Sequence, residues 1–348
     1  MHPSRSIRFT RSRPWRLVAA AGALAVALPA CGGDSSADAG TLRVYSGRHY
    51  DVELAFEQFS EETGVDVEFL TGNDAELRER IAAEGEDTEA DVYLTVDAGN
   101  LAAAAADGLF QPLDDPALVD AIPAEYRDPD NLWFGLALRA RTIVYSTERM
   151  TEDEVPTTYE ELADRAWKGR LCLRNSNNDY QQSLVASMIA ADGEDATLQV
   201  LEGWADNADI YANDVELLRA IAAGACDVGV SNHYYLAREI EEDPDFPVGL
   251  VWAEQDGRGV HVNISGGGVT KYADNPELAQ QFLEWLATDG QDVFVASNHE
   301  YPANPAVEPE PLIAERFGVD FARDRVNAKE FGELNADAVR LMDEADFG

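Results

Sequence analysis

The chain has 348 residues, and 66 acidic side chains against 26 basic ones leave it a net charge of −40. A surface of that sign repels phosphate backbones and anionic lipid heads, which excludes nucleic acid as a partner. About three hundred residues beyond an apolar start are too many for one comfortable core, so two lobes are expected.

In chain order, the first segment stands outside the fold. Arg5, Arg8, Arg11, Arg13 and Arg16 precede an apolar run from Leu17 to Ala30, which is shorter than the ~20 residues of a membrane-spanning helix. Residues 1–30 therefore read as an export signal. Leu28-Pro29-Ala30-Cys31 resembles a bacterial lipobox, with Cys31 as the lipid-bearing first residue of the mature chain and plain signal cleavage as the alternative. Residues 31–40 are small and polar, as suits a tether between a lipid anchor and a folded domain. The five leader arginines count toward the −40, so the chain beyond them stands at about −45.

Short apolar strands and amphipathic helices then alternate. "LRVYS" reads as a strand, and "DVELAFEQFSEETG" as a helix with Val52, Ala55, Phe56 and Phe59 on one face. "VDVEFL", "DAELRERIAAEG" and "ADVYLTV" continue as strand, helix and strand, an α/β pattern with mainly parallel sheets. A turn-rich stretch, residues 107–130, separates a second block: "FGLALRARTIVYS", "KGRLCLRN", the helix "DYQQSLVASMIAADG", "CDVGVSN" with its helix, and "FPVGLVWAEQ". "VNISGGGVT" lacks the Lys and Ser/Thr of a phosphate loop, so Gly266, Gly267 and Gly268 read as close packing or a hinge at a return crossing. "NPELAQQFLEWLATDG" is the clearest late helix, and Trp204, Trp252 and Trp285 read as core. With Cys31 assigned to lipid, Cys172 and Cys226 remain as a structural disulfide pair in an exported chain.

Two places join a strand to a helix through aromatic polar residues. In "CDVGVSNHYYLAREIEE", Ser231 or Asn232 caps a helix whose first turn holds Tyr234 and Tyr235. In "VYSGRHYDVELAF", His49 and Tyr50 follow the first strand. Ligands of open α/β sheets bind beyond the carboxyl ends of the strands. Phenolate is a hard oxygen donor, so its natural cation is ferric iron, whose charge displaces phenol protons that otherwise leave only near pH ~10. An exported hydrolase is the competing class. Ser231 in "GVSNHYY" lacks the Gly-x-Ser-x-Gly elbow, and no HExxH zinc motif is present.

The ordered segments "VYSGRHY", "LRARTIVYS", "KGRLCLR", "SNHYYLAR", "NISGGGVTKYADNPELAQQFLEWL" and "EYPANPAV" resemble the periplasmic ferric-ion-binding proteins of bacterial ABC iron transporters, in their tyrosine-rich subgroup. The resemblance implies a two-lobe type II periplasmic-binding-protein fold, each lobe a mixed, mainly parallel sheet flanked by helices, with a ligand cleft between. It places residues 41–138 with 264–312 in the first lobe and 139–263 with 313–348 in the second. It implies a non-enzymatic component that captures Fe(III) on His49, Tyr50, Tyr145, Tyr234 and Tyr235. Its partners are then a permease and its ATPase, and its place is periplasmic or at the cell surface, lipid-anchored and monomeric. A ferric ion with four phenolates carries one excess negative charge, for which Arg139, Arg141 and Arg48 are candidates, Arg139 foremost. Asn175, Ser176 and Asn177 correspond to the anion-cradling turn of phosphate-using relatives, where carbonate would sit as an auxiliary anion. Another small solute, a polyamine, thiamine or an oxyanion, is the alternative within the same fold.

Overall fold

The computed structural model describes residues 40–48 and 52–348. The leader, nearly all of the tether, Cys31, His49 and Tyr50 lie outside the described residues. Among the described residues ten strands order the fold: β1 (Thr41–Ser46), β2 (Asp66–Thr71), β3 (Val92–Thr95), β4 (Phe134–Ser146), β5 (Leu171–Arg174), β6 (Ala208–Tyr211), β7 (Val228–Asn232), β8 (Val248–Val251), β9 (Val262–Val269) and β10 (Tyr301–Pro302). Their order is β2-β1-β3-β9-β4-β7-β5-β6, with β8 and β10 also paired to β4.

The long strand β4 is the seam. From Phe134 to Ala140 it runs antiparallel to β9, and from Arg141 to Tyr145 antiparallel to β7. On either side of it the pairs β1–β2, β1–β3, β5–β6 and β5–β7 are parallel, as strands joined through helices must be. All thirteen residues of β4 are buried, its apolar side chains together with Arg139 and Arg141.

The helices form where periodicity and caps predict. Val52–Thr63 buries Val52, Ala55, Phe56 and Phe59. Phe56 and Phe59 meet Phe282 edge-on at ring separations of 5.2 and 5.0 Å. Each such buried ring contributes about 1.5–3 kcal/mol. Asn73, Asn178 and Asn213 accept hydrogen bonds from the first-turn amides of their helices.

The glycine run in β9 is a packing device within a strand. A Cβ at Gly266 would lie 2.5 Å from Phe134 O, and one at Gly268 would lie 2.5 Å from Leu132 O. Trp204 and Trp285 are buried, whereas Trp252 is half-buried and stacks on Phe321 at 3.9 Å. Cys172 of β5 and Cys226, just before β7, form a disulfide with Cα atoms 5.9 Å apart.

Candidate functional site

The helix His233–Glu242 begins directly on β7, with Asn232 at its cap position. Tyr234 and Tyr235 leave its first turn, and although consecutive helical side chains diverge by ~100°, their rings lie 4.3 Å apart at 38°. Tyr234 is fully buried and Tyr235 half-buried.

A third phenol joins them from an element that sequence reasoning assigned otherwise. Tyr180 stands in the first turn of the helix Asp179–Asp192, which follows β5 through the turn 175–178. It shares a hydrogen bond with Tyr234 and accepts one from Arg139 Nη1 at 3.1 Å. The signal for Tyr180 was present: strand, polar turn, then a tyrosine in the first helical turn, the arrangement already noted at Tyr234.

Tyr145 does not belong to this group. Its register partners are Val228 and Gly249, four residues along β4 from the Arg141–Asn232 pair, or roughly 13 Å at the rise of a strand. Its ring packs against Gly249, where a Cβ would come within 2.9 Å of it. Burial and then Glu152 raise its pKa. The reason is that β4 spans the whole sheet, so its end and its middle face different surroundings.

Arginines surround the three phenols. The Arg139 guanidinium carbon is 5.5 Å from the Tyr234 ring and 5.8 Å from that of Tyr180. Arg174 lies 5.7 Å from the Tyr180 ring and donates to Tyr235. Arg238 lies 5.5 Å from the Tyr234 ring and 5.8 Å from that of Tyr235, and it is bound to Asn298. Such contacts place positive charge over electron-rich rings.

Arg141 serves the site at one remove. It donates to Asp214 Oδ1 at 2.8 Å and Gln181 Oε1 at 3.0 Å, and to Asn232 Oδ1 at 3.3 Å. Its charge is therefore met by Asp214, while Asn232 Nδ2 donates to Tyr234 Oη at 3.4 Å. Asp214 also pairs with Arg174 and is fully buried. Burial alone would raise its pKa, and the two guanidiniums bring it below the usual carboxylate range. Asn175 donates its amide to Tyr211 O at 3.1 Å and leaves Oδ1 buried without a partner, while Ser176 O accepts from Gln182.

Burial pushes the Tyr234 pKa well above its ordinary value, and the neighbouring Tyr180 and Tyr235 push the same way. Without a cation Tyr234 is thus a neutral phenol. A cavity of about 560 Å³ adjoins it, lined by Gly47, Asn73, Asp74, Asn100 and Asp179 among others. Asp179, in its lining, immediately precedes Tyr180 in the chain. A larger cavity of about 920 Å³, walled by Tyr126, Tyr301, Phe321 and Arg323, contains none of the predicted site residues.

Residues 49–293 match the family described as bacterial extracellular solute-binding protein. Iron uptake protein A1 of Synechocystis sp. is 41% identical over 323 residues, covering 90% of this chain and 89% of the relative. The Fe(3+)-binding periplasmic protein of Serratia marcescens is 29% identical over 314 residues, covering 87% of this chain and 91% of the relative. Among solved structures, Trichodesmium IdiA (FutA) in complex with iron and citrate ligands superposes with a TM-score of 0.84 at 40% identity, covering 89% of this chain and 100% of that one. The ferric binding protein from Campylobacter jejuni superposes with a TM-score of 0.81 at 30% identity, covering 88% and 100%. The chain belongs to the bacterial extracellular solute-binding proteins, in the branch of the iron uptake and ferric-binding proteins, and has their type II periplasmic-binding-protein fold.

Proposed function

We propose that this protein is the extracytoplasmic binding component of an iron uptake system, capturing Fe(III) on tyrosinate ligands between two lobes and delivering it to a membrane permease driven by an ATPase. The observation that carries the proposal is the convergence of Tyr180, Tyr234 and Tyr235 on one another within a ring of arginines. Tyr50 supplies the fourth phenol from the first lobe and His49 an imidazole, while Tyr180 takes the place first given to Tyr145. The relatives' names and the iron in the Trichodesmium complex point to the same cargo. The lobes comprise 41–138 with 264–312 and 139–263 with 313–348, exchanging along β4 where its partner changes from β9 to β7. A lipid on Cys31 holds the monomer at the membrane.

The four phenols must each give up a proton to the metal, so capture releases protons and weakens as pH falls. Metal bonds reaching from both lobes stabilise the closed form, and that form is what a permease recognises.

Titration of the apo protein with ferric citrate, followed by visible absorption, tests the reading. A broad phenolate-to-iron charge-transfer band is expected in the wild type and in Tyr145→Phe. Tyr180→Phe and Tyr235→Phe are expected to lose affinity by at least about 100-fold, beyond the range for outer residues of metal sites. A colourless wild type would return the search to organic cations and oxyanions. Equal affinities for Tyr180→Phe and wild type would remove Tyr180 from the ligand set. Carbonate on Asn175 and Ser176 is the finer expectation, and the same titration in bicarbonate-free buffer decides it: unchanged affinity dismisses the anion.

A further inference from the structure

Glu300 is a fully buried carboxylate just before β10. One of its oxygens accepts from Arg139 Nε at 2.7 Å, and the other is ion-paired with Arg48 Nη1. Both guanidiniums are buried too. Their remaining partners are neutral: Ser265, Ser297 and the Phe294 carbonyl for Arg48, Tyr180 and the Val96 carbonyl for Arg139. Arg139 Nη2 is buried with no partner. Two cations thus share one anion, leaving one net positive charge out of contact with water.

The trio is built against the ligand set. Arg48 immediately precedes His49 and Tyr50 in the chain, and Arg139 donates to Tyr180 while lying over Tyr234. Asn298 links Glu300 onward to Arg238. A charge in such a site acts over a short distance through a medium far less polarisable than water.

We propose that Glu300 is the specificity-determining residue for oxidation state, holding the pocket's buried charge at the value that favours Fe(III) over Fe(II). The inference rests on the ligand reading above. A ferric ion on the phenolates of Tyr50, Tyr180, Tyr234 and Tyr235 carries one negative charge, which the Arg48–Glu300–Arg139 trio neutralises. A ferrous ion in the same shell leaves a negative charge uncompensated, and a buried uncompensated charge is costly. Without the Glu300 carboxylate the balance inverts: the ferrous complex becomes the neutral one. The other close guanidiniums leave this count unchanged. Asp214 pairs with both Arg141 and Arg174, and Arg174 and Arg238 are partly open to screening water. Asp74 accepts from Val96 N, and Asp97 from Asn263 Nδ2 and Asn100 N, so both are held by neutral donors and neither is ion-paired with Arg48 or Arg139.

The test is a mediated potentiometric titration of the iron-loaded full-length protein, read at the charge-transfer band. Glu300→Gln is expected to cut the ratio of Fe(III) to Fe(II) affinity by about tenfold or more, which raises the midpoint by about 59 mV per tenfold. Arg48→Gln removes a positive charge and moves the midpoint down. The double variant restores the original count and returns it close to wild type. A merely structural role lowers melting temperatures without producing opposite shifts that cancel in the double variant. If Glu300→Gln alone does not fold, the fall in Arg48→Gln and its reversal in the double variant support the proposal, and absence of either overturns it. Midpoints that stay at the wild-type value, or move in one direction for both single variants, also overturn it while leaving the ligand reading intact. A wild type without the band overturns that reading, and this inference with it.

Discussion

His261 has no exposed surface, and its Nε2 lies 3.1 Å from Ser183 Oγ. Burial lowers its pKa well below the ordinary value, and Arg258 and Arg141 lower it further. The unfolded chain therefore takes up this proton first as pH falls through ~6.5, while the folded protein resists it. Stability contributed by the neutral ring is present above that pH and declines below it. Urea unfolding at pH 7.5 and pH 5 is expected to show a smaller acid loss for His261→Gln than for wild type; equal losses would show that other groups set the acid limit. Residue types at this scale were legible before residue directions were. Tyr234 and Tyr235 stand out in the sequence because they sit together at a strand-to-helix junction. Tyr145 lies apart from them because a strand residue's position along β4, rather than its type, decides what it meets. Tyr180, alone in its turn, becomes a site residue only through its contacts with Tyr234 and Arg139.

Elements were the most readable level. The helices at Val52–Thr63 and Pro276–Ala287 follow their apolar periodicity, and polar caps mark the starts of several others. The edge strands β2 and β6 depart from the others in burial: they leave Phe69, Leu70 and Ile210 exposed, which their apolar residues do not announce. The Cys172–Cys226 bond joins the neighbouring strands β5 and β7 across 54 residues of sequence. A loop of that length restricts the unfolded chain, so Cys172→Ser/Cys226→Ser is expected to lower unfolding free energy by about 2–4 kcal/mol. Urea unfolding extrapolated to water would register it, with a steeper slope as the unfolded chain expands, and an unchanged free energy would show that the β5–β7 pairing alone suffices. The glycine run in β9 was read as packing or hinge. Its neighbours at 2.5 Å favour packing, a distinction that only the position of Phe134 O and Leu132 O could make.

At the scale of the whole molecule, the charge of −40 is the dominant sequence-level fact. Only Lys168, Lys271 and Lys329 supply ammonium groups, and most surface acids lack a close cation. Self-repulsion of this kind opposes the compact state and is screened as the Debye length falls from ~10 Å at 0.1 M salt to ~3 Å at 1 M. Raising NaCl across that range is expected to lift the melting temperature by roughly 5 °C or more; a flat or falling temperature would show that the acids are too dispersed to matter. By itself the sequence determined the α/β class, the places of most elements, the paired cysteines and the chemical character of a phenol-rich site, because these follow from local periodicity, capping and donor type. Tertiary structure decided which tyrosines meet, that Arg141 is occupied by Asp214, and that Glu300 links Arg48 with Arg139 across 252 and 161 residues of sequence. Those outcomes depend on the register of β4 and on which buried charges find one another, and neither is encoded in any short segment.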